Sequence, residues 1–186
     1  NSYLALQPGP AEGKVRALLA PFEESLLPGV LEGYSLPVSD GTERNRKNLR
    51  AATKLLAEAG WTVQDGVMRN AEGEALELQV LLTPGNLGEG EMRSVVEIYA
   101  RALERLGISL SSDIVDSAQF VQRQQAFNYD MTFFRRAMSL SPGNEQYLYW
   151  GSAAAQQQGS RNLIGIEDPA VDAMIDAMLV STSKED

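Results

Sequence analysis

Apolar residues along this chain switch repeatedly between two periods, and the switches divide it into elements. From Asn45 onward Leu49, Ala52, Leu55, Leu56 and Ala59 recur at helical spacing and Gly60 follows, which predicts an amphipathic helix with a glycine stop. Trp61 to Met68 carries Asp65-Gly66 between two short apolar segments, the chemistry of a tight hairpin turn. Leu76, Leu78, Val80 and Leu82 then alternate with their neighbours up to Pro84-Gly85-Asn86, predicting a core strand. Between Glu89 and Leu106 the set Met92, Val95, Val96, Tyr99, Ala100, Leu103 and Leu106 keeps to one helical face, and Gly107 closes it. Ile108, Leu110, Ser112 and Ile114 alternate as a second strand. Asp116 is placed to cap a helix bearing Phe120, Val121 and Phe127, and Tyr129 to Arg135 reads as a third strand.

Strand, helix, strand, helix, strand is the order of an α/β layer, with parallel strands joined by right-handed helical crossovers. Ligands of such folds sit outside the carboxyl ends of the strands. Before this layer, residues 1–44 carry Pro8, Pro10, Pro21, Pro28 and Pro37 and read as an irregular lead-in with one short helix around Val15 to Leu19. Residues 45–186 read as the α/β domain. After Arg136 a loop rich in Ser, Pro and Gly leads to a short helical piece, Glu145 to Trp150. The last helix starts at Asp168-Pro169 and turns Val171, Ile175, Met178 and Leu179 inward.

The chain has 186 residues, 44% of them hydrophobic, enough for one ordinary core. Its 25 acidic and 16 basic side chains give a net charge of -9, which repels nucleic acid and anionic lipid. With no Cys and no His, thiol nucleophiles, disulfides, zinc sites and the commonest general base are excluded together. No apolar run approaches the roughly 18 residues of a membrane span, so direct membrane insertion is not expected. The chain starts without Met and stops after an apolar helical pattern, and both ends read as cuts.

Several residue groups bear on chemistry. Asp168, Asp172 and Asp176 stand four apart on the last helix. The favoured reading has Asp168 as a cap and the other two facing water, because no spaced-acid calcium loop accompanies them; no metal site is expected. Arg135 and Arg136 close the third strand, where one of them could fork onto a ligand carboxylate, or simply form a structural ion pair. Tyr147, Tyr149 and Trp150 form an aromatic group, read as core before ligand wall. Ser139, Ser141 and Ser152 have no activating base in sequence, so no catalytic residue is assigned. The glycines between Pro84 and Gly90 lack the Lys and hydroxyl of a phosphate loop.

Ala57-Glu58-Ala59-Gly60-Trp61, the strand Leu76 to Leu82, Leu103-Glu104-Arg105-Leu106-Gly107-Ile108 and Phe127-Asn128-Tyr129-Asp130-Met131 together resemble the family 5 extracellular solute-binding proteins, the large periplasmic oligopeptide-binding proteins of ABC importers. A narrower resemblance is to the subgroup that imports microcin C and related peptides. It is carried by Leu36-Pro37-Val38-Ser39-Asp40-Gly41, Ser139 to Gln146, Trp150-Gly151-Ser152-Ala153-Ala154, Gly159 to Ile166 and Asp168-Pro169-Ala170-Val171-Asp172. The resemblance implies an α/β fold, the lobe of a type II periplasmic binding protein with a mixed, mainly parallel sheet flanked by helices. It also implies that this chain is the second lobe of a longer, two-lobed protein with a signal peptide upstream.

A further implication of the resemblance is a periplasmic protein, monomeric at full length, that needs no cofactor and is not an enzyme. It would enclose a peptide or peptide-like ligand by hinge closure and present it to the permease subunits of an ABC importer. The ligand-facing residues implied are Arg136, Met138, Ser139, Leu140, Ser141, Asn144 and Glu145. Peptide binders of the family place an Asp on this loop for the ligand's free amine, but Arg136 to Ser141 contains no acid. An anionic or neutral polar ligand group held by Arg136 with Ser139 or Asn144 is therefore expected, with Glu145 as the nearest substitute for the missing Asp. An α/β enzyme using carboxylates or a serine, and a non-transporting scaffold of the same fold, are the alternatives.

Overall fold

Local chemistry at a few positions fixes the elements. In the computed structural model, residues 9–33, 37–39, 41–42, 44–87, 91–137 and 141–182 are described. They form two compact units, Pro37–Arg135 and the pair Asn1–Leu36 with Arg136–Asp186. The boundary set after residue 44 in the sequence thus gives way to divisions after 36 and after 135. The lead-in folds with the last third of the chain because Leu19 and Leu31 share an apolar cluster with Ala170 of the final helix.

Helix α1, Gly13–Leu19, belongs to the unit built from both ends of the chain, and the Pro37–Arg135 unit has α2, Arg46–Glu58, as its first helix. Strands β1 (Thr62–Gln64) and β2 (Val67–Arg69) pair antiparallel through Gln64↔Val67. Asp65 and Gly66 between them take φ of 51° and 81°, as a two-residue primed turn demands. β3 (Glu77–Leu82), α3 (Pro84–Leu87), α4 (Glu91–Glu104), β4 (Ser109–Ile114), α5 (Ser117–Gln125) and β5 (Met131–Thr132) follow. The second sheet has the order β4-β3-β5, and both pairings are parallel. Gly107, with φ 76°, ends the turn after α4 so close to the hairpin that a Cβ would stand 2.9 Å from the Gly66 carbonyl oxygen, so only glycine fits there.

Two apolar clusters hold this unit. Met68, Leu103, Leu106 and Ile108 are buried beneath Leu49, Leu56 and Trp61. Val80 and Leu82 are buried against Val96, Leu110, Met131 and Phe133. The alternation expected of β3 fails at its end, since Leu81 is as buried as its neighbours at 0% exposure; a central strand of a parallel sheet is covered on both faces. Leu55, Val95 and Tyr99, expected inward, are exposed. Each stands one residue, about 100°, from a half-buried position of its own helix, Leu56 on α2 and Val96 and Ala100 on α4. Phe127 lies beyond α5 at φ 54°, not on it, and the third strand is shorter than Tyr129 to Arg135.

In the other unit, α1 runs into a 3-10 turn at Ala20–Phe22, and α6 (Glu145–Trp150), α7 (Ser152–Ala155) and α8 (Pro169–Val180) complete it. The Asp168 carboxylate caps α8 by accepting the Ala170 N–H at 2.8 Å. Asp176 is exposed as expected and accepts the Tyr147 hydroxyl, whereas Asp172 is half-buried and accepts the Ser152 N–H at 2.9 Å, at the start of α7. Asp172 is drawn in because the first N–H of so short a helix as α7 has no acceptor within the helix.

Candidate functional site

Strand order points to one end of the sheet. β3 comes first in the chain yet lies in the centre, with β4 on one side and β5 on the other. The chain reverses direction of growth there, and crevices outside the carboxyl ends at such a switch receive ligands in open α/β sheets. Thr83 follows β3 at that end, and Phe133, Phe134 and Arg135 follow β5, Phe134 being exposed. An open hollow of about 460 Å³ lined by Gly66, Glu77 and Ser109 lies at the amino ends of β3 and β4 instead, away from the switch.

Polar side chains lock β5 in place. The Gln79 N–H, one step ahead of the Val80↔Met131 pair, donates to the Asp130 carboxylate at 2.8 Å, and the Thr132 hydroxyl donates to the Leu81 carbonyl at 3.0 Å. Arg123 of α5 pairs with Asp113 of β4 and donates to the Gln79 side chain at 2.9 Å and the Asn128 carbonyl at 3.1 Å. This guanidinium thereby joins β4, β3 and the turn into β5.

The segment expected to face ligand opens the second stretch of the other unit. Arg136 lies with its guanidinium 3.8 Å from the ring centre of Tyr149 and 5.1 Å from that of Trp150, within cation–π range. Its Nη2 donates to the Arg161 carbonyl at 2.7 Å. Met138, Ser139 and Leu140 lie outside the described residues. Ser141 and Asn144 are exposed, and the Asn144 side chain makes no capping bond to α6.

Glu145 is the more elaborately held group. Its Oε1 accepts the Gly143 N–H at 2.9 Å and the Gln146 side-chain amide at 3.1 Å. The Gly143 N–H, then its own N–H and the Gln146 amide, hold the carboxyl below its usual range, because each donor favours the charged form. A carboxylate has about four acceptor positions, so capacity for a further donor remains.

Sequence reasoning missed two residues on which this segment depends. Gln146, 6% exposed, accepts the Trp150 indole N–H at 3.1 Å while donating to Glu145. Asn162, 0% exposed, donates to the Gly151 carbonyl at 3.2 Å and the Ile166 carbonyl at 2.8 Å, and accepts the Ile166 N–H at 3.0 Å. It thus pins the turn beside the Arg161 carbonyl on which Arg136 rests. The available signal was a polar residue set among apolar neighbours, Asn162 before Leu163-Ile164 and Gln146 before Tyr147-Leu148, which does not separate a buried clamp from an exposed loop.

Known proteins bear on what this arrangement is for. A protein of Brucella melitensis biotype 1 that is named as a binding protein is 40% identical over 187 residues, covering 100% of this chain and 30% of its own. The peptidoglycan-binding protein YepA of Agrobacterium fabrum is 33% identical over 187 residues, again 100% of this chain and 30% of that one. The fold is that of the oligopeptide-binding protein AppA from Bacillus subtilis, solved with a nonapeptide, at TM-score 0.63 and 18% identity over 91% of this chain and 34% of AppA. The chain spans about 30% of the length of the curated relatives it matches. Residues 18–158 match the middle part of the bacterial extracellular solute-binding proteins of family 5, and the chain, with its parallel α/β sheet flanked by helices, belongs to that family.

Proposed function

We propose that the full-length protein is the substrate-binding component of an ABC importer, capturing peptides or peptide-like solutes between two lobes and delivering them to membrane permease subunits. The β4-β3-β5 switch in a chain of family 5 carries this reading. This chain lies within the second lobe, and the subgroup is that of microcin C and related peptides. A signal peptide precedes it and sends the protein to the periplasm, where it acts as a monomer without making or breaking a bond. Peptide-bearing cell-wall fragments fall within the same ligand class, as the name of the Agrobacterium relative suggests.

The segment from Arg136 through Met138, Ser139, Leu140, Ser141 and Asn144 to Glu145 lines the cleft. Arg136 offers a cation backed by Tyr149 and Trp150. Glu145 offers an ionised carboxylate with acceptor capacity to spare and takes the part of the loop Asp that this chain lacks. The test is mass spectrometry of what copurifies with the full-length protein, followed by calorimetry with a pool of short peptides. A stoichiometric peptide released on unfolding is expected. A protein that binds no member of the pool, or that hydrolyses what it binds, overturns the reading.

A further inference from the structure

Two candidate ligand groups of opposite charge, Arg136 and Glu145, are linked through the buried Gln146 and the ring of Trp150. Gln146 gives its amide N–H to Glu145 at 3.1 Å and its carbonyl to the Trp150 indole at 3.1 Å, and Arg136 lies 5.1 Å from the Trp150 ring centre. At 6% exposure the Gln146 amide is cut off from most solvent, so both bonds must be made within the protein. An amide has one carbonyl and one NH2 end. With the indole, a donor only, fixed on the carbonyl, the NH2 end is obliged to face Glu145, and the orientation cannot reverse without setting a carbonyl against a carboxylate and two donors against each other.

We propose that Gln146 is a positioning residue for ligand selection, its amide fixing the Glu145 carboxylate against the Arg136–Trp150 wall so that it receives the free amine of a peptide-like ligand. This rests on the reading of Arg136 and Glu145 as cleft-lining. A residue that merely filled the base of α6 would need neither a donor toward Glu145 nor an acceptor toward Trp150, and an apolar side chain would serve. Glu145 makes no ion pair among the described residues, and the groups that hold it are N–H donors. Removing one therefore changes both where the carboxylate stands and how readily it takes a proton.

The experiment uses the full-length protein with Gln146→Glu, Gln146→Met, Glu145→Gln and the Glu145→Gln/Gln146→Glu double variant. Two pools of tri- to pentapeptides serve as probes, one with free amino termini and one N-acetylated. Wild type is expected to prefer the free-amine pool by about tenfold or more, as a charge-assisted contact gives, and Gln146→Glu and Gln146→Met to lose most of that preference. Glu145→Gln loses it as well, and adding Gln146→Glu to it changes nothing further. Carboxyl NMR titration without ligand adds a readout that simple packing would leave unmoved: the Glu145 midpoint rises in both Gln146 variants, more with the repelling Glu. Should one Gln146 variant fail to fold, the other decides. If wild type prefers free amines while both variants keep the preference and the Glu145 midpoint, the inference falls and peptide capture stands. If wild type binds neither pool, peptide capture falls and takes this role of Gln146 with it; equal binding of both pools overturns the inference and leaves peptide capture standing.

Discussion

The two units are held together by different physics. The Pro37–Arg135 unit is organised by apolar burial and backbone ladders: Met68, Leu81 and Leu82 are sealed, and β3 gives its backbone to strands on both sides. The unit formed by Asn1–Leu36 and Arg136–Asp186 has a small apolar cluster around Leu19, Leu31 and Ala170, and much of its order comes from polar side chains bonded to backbone. Asn162 and Asp172 take up backbone groups at the ends of the short helices α6 and α7, Asp168 caps α8, and Gln146 and Glu145 hold the Trp150 indole and the Gly143 N–H. Helices of four and six residues satisfy few of their own N–H and C=O groups, so the second unit has to bring acceptors and donors from elsewhere. Order in this loop-rich region thus rests on matched polar groups more than on a core.

Mutations can break that contrast. The largest effect is expected of Leu81→Ala, which empties a fully buried site and should cost about 2–5 kcal/mol in equilibrium unfolding of the full-length protein. Asn162→Ala should come close behind, at about 3 kcal/mol. It removes three hydrogen bonds and leaves the buried Gly151 carbonyl and the half-buried Ile166 backbone without that partner. Should Asn162→Ala melt within about 0.5 kcal/mol of wild type, the second unit is not held by its clamps and the comparison collapses.

A smaller effect separates Arg136 from its surroundings. Arg136→Ala should weaken binding of short peptides by about tenfold in calorimetry, through a lost ligand contact or through loosening of the Tyr149–Trp150 wall. Arg136→Lys distinguishes the two, because it keeps the charge while losing the planar stack. Recovery by Lys favours the charge, and failure to recover favours the stack. Next comes Asp172→Ala, expected to cost about 1 kcal/mol by freeing the Ser152 N–H. A change below a few tenths returns Asp172 to the class of plain surface acids.

The smallest effect is a pH dependence at the Tyr147–Asp176 contact. The hydrogen bond to Asp176 foremost, and the negative charges of Asp176 and Asp172, raise the Tyr147 hydroxyl above its ordinary value of 10.0. The folded state therefore keeps a proton that the unfolded chain releases, so this contribution is complete below about pH 10 and fades as pH rises through the raised value. Urea melts between pH 8 and 11 should show a slightly steeper alkaline decline in wild type than in Tyr147→Phe. Equal slopes would mean that the exposed contact carries nothing.

Much of the first unit was written in the chain as period and punctuation. Helical spacing from Leu49 and from Met92, the Asp65-Gly66 turn, the cap at Asp116 and the stop at Gly107 are local, and each depends on residues within a few positions of it. α6 and the Asp168 cap were equally legible, for the same reason. The family resemblance came from motifs of this local kind.

Tertiary structure alone decided the rest. Nothing local tells that β3 lies between β4 and β5, since strand order depends on which side each crossover takes, and the candidate crevice at their carboxyl ends depends on that order. Nothing local buries Leu81 while exposing Leu55, or brings Asp172 to Ser152 and Asp176 to Tyr147. A polar side chain reads the same in sequence whether water or a distant backbone group receives its hydrogen bond. Period and turn chemistry are properties of neighbours in the chain, whereas the partners of Asn162 and Gln146, and the wall on which Arg136 lies, exist only once the chain has folded back on itself.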